Sequence, residues 1–277
     1  MKLLLATLVG SVALAACGAD ARALPLREAR HDVGVALTSP VAMTPASGVL
    51  VSLGDGYSDW TIIGWGDSIT AQYSQYPSFT PSLPGNGPGY LDRVATSLGF
   101  GHEVNLGIGS TTLETCAPAD QCANDAASGL ARFRNPGDLV SYAGPKSCFV
   151  LAYGMNDVNA SPLYPNDLNP TNFGVVYDTV IAALIAKGTP RSCIVVTGIS
   201  YESPTYWSSR VQALADFNAA ARAVAARNGV AFADTYAAIA NNGGLALIES
   251  GPPFIHPTPD GQGLIAQMVI RALASAP

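Results

Sequence analysis

The sequence predicts an α/β fold in which a parallel sheet of five strands lies between two layers of helices. Short apolar segments alternate with longer helical patterns from residue 61 to the end of the chain. The strand segments are near-continuous apolar runs, as expected for strands whose two faces are both covered by helices. Strands that alternate with helices form parallel sheets, so the predicted architecture is a three-layer α/β/α sandwich.

Each strand is predicted from an apolar run rich in β-branched residues, and each helix from the helical spacing of apolar residues. Gly99, Gly188 and Gly229 follow three of the helices, at the position where a left-handed residue commonly ends a helix. A short additional strand is expected at 48–53. The five main strands are expected at 61–65, 103–106, 148–153, 193–199 and 230–234, and the helices at 90–98, 170–187, 208–228 and 261–274.

The composition fits one globular domain and argues against nucleic-acid binding. The chain has 277 residues, of which 48% are hydrophobic and 12% are charged, enough to bury one substantial core. Its net charge of -6 comes without any lysine or arginine run that could neutralise phosphates, so no nucleic-acid partner is expected. The sequence contains no internal repeat, and we assign residues 46–277 to a single domain.

The N-terminus has the features of an export signal. Lys2 precedes an apolar run at 3–16 that ends in small residues, a pattern typical of secretory signal peptides. The run is too short to span a bilayer comfortably. We therefore predict a signal peptide at 1–16 and export from a bacterial cell.

The residues around the end of this signal leave two forms of export open. The tetrapeptide LAAC at 14–17 is similar to the lipobox of bacterial lipoproteins, in which Cys17 would be lipidated and become the first residue. The protein would then be an outer-membrane lipoprotein with a leader or linker at 17–45. The alternative is cleavage after Ala23, which would give a secreted protein without an anchor.

Export makes four further cysteines candidates for disulfide bonds. Cys148 and Cys193 begin two of the predicted strands, so their sulfurs would lie level with each other if those strands are neighbours. Cys116 and Cys122 would then close a small loop. Buried free thiols are the alternative. No metal site is expected, because the three histidines show no ligand spacing near the cysteines.

Four blocks of glycine and polar residues follow predicted strands or precede the last helix. They are GDSI at 66–69, NLGIGSTT at 105–112, GMND at 154–157 and HPTPDG at 256–261. In an open parallel sheet, the carboxyl ends of the strands face the ligand crevice. Ser68 therefore lies where a nucleophile would be useful, provided that a base and oxyanion donors accompany it.

Taken together and in this order, the four blocks resemble the GDSL or SGNH hydrolase family, over residues 61–275. The resemblance implies a flavodoxin-like sheet and a serine esterase or lipase that needs no cofactor. It also implies that Ser68 is the nucleophile, His256 the general base and Asn156 an oxyanion-hole donor. The arrangement is not the nucleophile elbow of α/β-hydrolases, because Thr70 stands where that motif has glycine.

Each of these side chains also has a simple structural alternative. Ser68 could cap a helix, Asn156 could form an Asx turn with Asp157, and His256 could be a surface histidine in a proline-rich loop. These alternatives need no shared site, whereas the hydrolase interpretation requires the side chains to meet in one pocket.

The second block leaves the remaining oxyanion donor open. In the family, a glycine backbone N–H completes the oxyanion hole, together with the N–H of the nucleophile Ser68. Counting from Asn105 places Ser110 at the family's glycine position, with Gly109 just before it. A backbone amide can donate from either residue, so both remain candidates.

One departure from the family's pattern concerns the histidine. The family usually has an aspartate three residues before it, which orients the imidazole and stabilises its charged form. Here that position is Pro253, whose side chain accepts no hydrogen bond. A backbone carbonyl from residues 252–254 could take this role, or a distant carboxylate such as Glu249 or Glu202, or the enzyme is slow. We favour the carbonyl, which predicts that Glu249→Ala leaves turnover near the wild-type rate.

Loops rich in proline and aromatic residues follow the first, third and fourth strands. Loops at strand ends rim the crevice of such a sheet, and their aromatic side chains would suit either a sugar face or an acyl chain. The alternative is that they only anchor the loops. The candidates for substrate contact are Tyr73, Tyr76, Tyr164, Tyr201 and Trp207.

The sequence thus predicts an exported serine hydrolase that cleaves carboxylic esters through an acyl-enzyme intermediate. The resemblance implies an ester substrate with a short acyl chain, an acetylated polysaccharide or a lipid. A second hypothesis is a catalytically weak or inactive surface protein that uses the same fold to bind carbohydrate. Its only support is the missing aspartate.

Overall fold

The computed structural model describes residues 56–71, 88–116, 127–250 and 255–275. All of them belong to one compact unit that spans residues 50–277. The predicted signal peptide, Cys17, the leader and the strand expected at 48–53 lie outside the described residues. The domain boundary at residue 46 therefore stays a prediction.

A parallel sheet of five strands forms the middle layer, as the sequence predicts. The strand order is β2-β1-β3-β4-β5, which is the flavodoxin-like order. The chain adds β2 on one side of β1 and then crosses to the other side for β3, so the order reverses between β1 and β3. The strands are β1 Thr61–Gly66, β2 His102–Asn105, β3 Ser147–Ala152, β4 Ile194–Thr197 and β5 Ala231–Ala233.

Helices cover both faces of this sheet and complete the three layers. The eight α-helices in the described part of the chain are α1 Ser68–Ala71, α2 Tyr90–Leu98, α3 Gly129–Phe133, α4 Met155–Ala160, α5 Pro170–Ala186, α6 Val211–Asn228, α7 Thr235–Asn241 and α8 Pro259–Ala274. Helix α2 packs against α8 in one layer, and α5 packs against α6 in the other. Helices α6 and α8 both contact β4 and β5, so the buried sheet lies between them.

Local sequence signals explain where the long helices begin and end. Asn169 accepts hydrogen bonds from the N–H groups at the start of α5, and Thr258 does the same for α8. In both helices a proline occupies the first helical position, where its missing N–H costs nothing. Gly99 and Gly229 end α2 and α6 with φ angles of +70° and +61°, as expected for glycine C-caps. The last helix therefore begins two residues earlier than predicted.

Helices α1, α3, α4 and α7 were not predicted from the sequence. Each has seven residues or fewer, which is too short for an apolar period to be recognised. The predicted helix at 208–228 begins instead with a 3₁₀ turn at Ser208–Arg210. Three of these short helices, α1, α4 and α7, begin within three residues of a strand end at the carboxyl edge of the sheet, and α1 and α4 contain Ser68 and Asn156.

A disulfide bond joins β3 to the residue before β4. Cys148 and Cys193 are both buried, and their sulfurs are bonded. The register pairs Phe149 with Ile194, so the two cysteines form the preceding pair, which is the pairing expected from the strands. Cys116 is also disulfide-bonded, whereas Cys122 lies outside the described residues.

We predict that replacing both Cys148 and Cys193 with alanine lowers the free energy of unfolding by about 4 kcal/mol, because the unfolded chain loses a cross-link. Urea denaturation without reductant measures this loss. Wild-type protein in reductant serves as the control, and it should lose at least as much stability as the double variant. An unchanged free energy of unfolding in the double variant would contradict the prediction.

Candidate active site

Ser68 lies at the carboxyl end of β1, as the first residue of α1. Gly66 is needed for the turn between the two elements, because a Cβ at this position would overlap Thr70 Oγ1 and the carbonyl of Ala152. Asp67 fixes the turn from inside. Its fully buried carboxyl accepts hydrogen bonds from the N–H groups of Ile69, at 2.9 Å, and of Met155. Burial raises the pKa of Asp67 to about 7.

The structure brings Ser68 and His256 into contact. His256 Nε2 lies 2.9 Å from Ser68 Oγ, although the residues are 188 positions apart in the sequence. The histidine precedes α8, and Pro257 pairs with Ile248 in an antiparallel bridge that fixes the segment. Burial lowers the pKa of His256 below its ordinary value of 6.5. The imidazole is therefore neutral at neutral pH and can accept the serine proton.

Asn156 lies in the first turn of α4, directly after β3. Its Nδ2 donates a hydrogen bond of 2.9 Å to the carbonyl of Thr111, which orients the amide group. A side-chain amide has two N–H groups, so this contact uses one and leaves a second for a ligand. Gly154 makes the turn into α4 with a φ of +134°, and a Cβ there would overlap Ile199.

The segment of the second block passes beside the serine. A Cβ built on Gly109 would lie 3.8 Å from Ser68 Cβ. Ser110 is exposed and has a left-handed φ of +60°. Of the two residues left open by the sequence, Gly109 is therefore the one that the geometry favours as a neighbour of Ser68.

Asp157 holds the segment that directly follows the second block against α4, a role that the sequence does not predict. Its carboxylate is fully buried and accepts hydrogen bonds from the N–H of Leu113, at 2.9 and 3.0 Å, and from that of Glu114, at 3.2 Å. Burial raises the pKa of Asp157 to about 6, although these hydrogen bonds lower it. The sequence signal for this role is the place of Asp157 in GMND, next to Asn156.

The aromatic candidates that the structure describes are half-buried and make contacts within the protein. Tyr164 packs against the small cluster of Cys116 and Leu168. The ring of Tyr201 lies 5.7 Å from that of Tyr236, and the Arg210 guanidinium stacks 3.9 Å from the centre of the Trp207 ring. These contacts favour the loop-anchor alternative for all three. Tyr73 and Tyr76 lie outside the described residues.

The loop after β4 is also tied to α4. Arg210 Nη1 donates a hydrogen bond of 2.5 Å to Asn159 Oδ1, and Asn159 lies one helical turn beyond Asn156. Glu202, in the same loop, is buried, and burial raises its pKa to about 7 while the charge of Arg210 lowers it. Neither carboxyl oxygen of Glu202 has a hydrogen-bond partner among the described residues, and the charge that shifts its pKa is that of Arg210, not that of His256.

Two further properties concern only the described part of the chain. Within it, no group of three or more histidine, cysteine, aspartate or glutamate side chains is arranged to hold a metal ion. No helix in these ranges combines the length and the apolar character needed to cross a bilayer.

Comparison with known proteins identifies the family. The sequence profile of the GDSL-like lipase/acylhydrolase family matches residues 65–264. The chain belongs to this family. As a GDSL-like acylhydrolase, the protein is a carboxylic ester hydrolase, which confirms the resemblance seen in the four blocks. No curated protein sequence matches the chain.

Solved structures share the fold at low sequence identity. A lipase/acylhydrolase from Enterococcus faecalis is 17% identical with a TM-score of 0.56, covering 76% of this chain and 94% of that one. An acetylxylan esterase from Geobacillus stearothermophilus is 18% identical with a TM-score of 0.58, covering 78% and 95%. LAE5, an α/β hydrolase enzyme from the metagenome of Lake Arreo, is 18% identical with a TM-score of 0.58, covering 80% and 98%.

We predict that Asp157→Asn lowers the free energy of unfolding by about 2 kcal/mol, because an amide NH2 group in place of Oδ2 would face the N–H of Leu113 donor to donor. Urea denaturation at neutral pH measures the change. Glu114→Gln is the matched control in the same segment. Burial raises the pKa of Glu114 to about 9, so this acid is already neutral and its replacement should leave stability near the wild-type value. Equal losses in the free energy of unfolding of both variants would contradict this structural role of Asp157.

Proposed function

We propose that this GDSL-like hydrolase is a serine esterase in which Ser68 attacks the ester carbonyl and His256 carries the proton. The supporting observation is the 2.9 Å contact between Ser68 Oγ and His256 Nε2. A nucleophile within hydrogen-bond distance of a base is the arrangement that activates a serine hydroxyl. Surface or capping roles would not require these two residues to meet.

The proposed reaction has two steps that use the same groups. Ser68 Oγ attacks the carbonyl carbon while His256 Nε2 takes the hydroxyl proton, and a tetrahedral oxyanion forms. The oxyanion collapses, and the leaving alcohol receives the proton from His256. A water molecule then gives a proton to His256 and attacks the acyl-enzyme, which releases the acid and returns the proton to Ser68 Oγ.

The oxyanion would be held by three N–H donors. We assign them to the Asn156 side chain and to the backbones of Ser68 and Gly109. Two observations support this choice. The Asn156 amide is oriented by the carbonyl of Thr111, and Gly109 lies beside the Ser68 side chain. Preorganised donors of this kind commonly supply the largest part of the catalytic effect.

The proposed substrate is a carboxylic ester with a short acyl group. Acetylated polysaccharide and lipid esters are the two sources that fit an exported enzyme of this family. One of the structural neighbours is described as an acetylxylan esterase, which makes acetylated xylan a direct choice for an assay. We propose no nucleic-acid partner, because the chain has no cluster of basic residues.

We also propose that the protein works outside the cytoplasm, either as a lipoprotein anchored at Cys17 or as a secreted enzyme. The N-terminal signal at 1–16 is the main support. The Cys148–Cys193 disulfide supports it independently, because such bonds persist mainly in oxidising compartments. With a nucleophile and a base in contact, no specific observation favours the alternative of an inactive carbohydrate-binding protein.

We predict that Ser68→Ala abolishes hydrolysis of p-nitrophenyl acetate and that Asn156→Ala lowers kcat by about 100- to 1000-fold with little change in KM, because the oxyanion loses one donor. Asn159→Ala, in the same helix, is the matched control and should stay near the wild-type rate. Initial rates at saturating and limiting substrate give both constants. If the Ser68→Ala variant still cleaved the ester, the proposed mechanism would be wrong.

The same assay can rank the substrates. Specificity constants for p-nitrophenyl esters of increasing acyl length, measured beside acetate release from acetylated xylan, compare the two proposed sources directly. A specificity constant that falls with acyl length favours a carbohydrate acetylesterase, whereas a rising one favours a lipase.

A further inference from the structure

The histidine of a serine esterase needs a partner that fixes its tautomer and stabilises the positive charge it gains. In the structure, Nε2 of His256 faces Ser68, so Nδ1 must carry the proton before the attack. The sequence has Pro253 where the family has an aspartate. That residue and the carbonyls of residues 252–254 lie outside the described residues.

A short antiparallel pairing places another acid opposite the histidine. Ile248 pairs with Pro257, the N–H of Thr258 donates to the carbonyl of Leu247 at 2.8 Å, and the N–H of Glu249 donates to the carbonyl of His256 at 2.9 Å. In this register Glu249 lies directly across from His256. Side chains of directly opposed residues project from the same face, with Cβ atoms about 4.5–5.5 Å apart.

The charge of Glu249 acts on the imidazole from this position. Burial lowers the pKa of His256, and the Glu249 carboxylate raises it. The other acids nearby are directed elsewhere. Asp67 is turned inward to the N–H of Ile69, Asp260 is exposed in the first turn of α8, and Glu202 interacts with Arg210.

We infer that Glu249 is the positioning residue of His256, supplying from the other side of this antiparallel bridge the negative charge that the family's aspartate supplies from three residues before the histidine. The inference rests on the proposed role of His256 as the base. When His256 takes the proton of Ser68, the imidazolium is paired with an ionised Glu249. The Glu249 carboxylate receives no proton. The ion pair ends when the leaving alcohol takes the proton from Nε2 of His256, because the imidazole is then neutral again.

This inference replaces the interpretation that the sequence favoured, in which a carbonyl of residues 252–254 orients the imidazole. The reason is the pairing of residues 247–249 with 256–258, which makes Glu249 a direct neighbour. In the linear sequence Glu249 is only an acid seven positions before His256, and the residues between them include a glycine and two prolines.

The test is Glu249→Gln, which keeps the shape of the side chain and removes its charge. With p-nitrophenyl acetate we expect kcat to fall by about 100- to 1000-fold with little change in KM. We also expect the acid limb of the profile of kcat/KM against pH to move to lower pH, because losing a negative charge lowers the pKa of His256 further. Glu249→Asp keeps the charge and should restore part of the rate.

Glu202→Gln is the matched control, since it removes the other candidate carboxylate, and it should keep the wild-type rate and pH profile. A second measurement avoids turnover altogether. Proton NMR of the imidazole in the Ser68→Ala background, assigned with His256→Asn, should show His256 titrating at lower pH when Glu249→Gln is added.

Three outcomes overturn the inference. The first is a Glu249→Gln variant with the wild-type rate. The second is a slower Glu249→Gln variant in which neither the acid limb of the pH profile nor the titration of His256 moves. The third is a Glu249→Gln variant that does not fold, together with a Glu249→Asp variant in which His256 titrates as it would without a negative charge beside it. In the first case the role returns to a backbone carbonyl. Each of these leaves the proposed function intact if Ser68→Ala is inactive, whereas an active Ser68→Ala variant would refute the proposed function itself.

Discussion

The parallel pairing of β1 with β3 is the constraint on which the site depends. This register places Gly66 beside Ala152, so both strands end level and the residues that follow them emerge at one edge. Ser68 follows the first strand and Asn156 follows the second. The absence of a side chain at Gly66 is essential to this arrangement, because a Cβ would overlap the carbonyl of Ala152. The strand order reverses between these two strands, which is where ligand crevices form in such sheets.

Buried carboxylates hold the loops of the site at the cost of desolvation. Asp67 links the turn after β1 to Met155, and Asp157 links α4 to Leu113 and Glu114. Both carboxyls have pKa values raised by burial, which means that burying their ionised forms lowers the stability of the fold. Because each acid is satisfied by backbone N–H groups, its effect is geometric. It keeps the serine and the amide donor at a set separation, as preorganised catalysis requires.

Much of the fold was predictable because its signals are local. The apolar run of β1 and the proline and glycine that bound the long helices can be recognised without knowing what they pack against. Short helices such as α4 have too few residues for a period, and so they were missed. Ser68 and His256 were recognisable as candidates by resemblance to a family, but their contact joins residues 188 positions apart. The place of Glu249 depends on the antiparallel bridge between Ile248 and Pro257, for which the sequence has no local pattern.

The Cys148–Cys193 bond lies where β3 and β4 begin, whereas Ser68 and Asn156 follow the ends of strands. The covalent cross-link and the residues of the candidate site thus lie at opposite edges of the same sheet. The stability that the cross-link adds and the geometry of the candidate site are therefore set by separate parts of the molecule. Additional cross-links near the starts of the strands could therefore raise stability without changing the geometry at the strand ends.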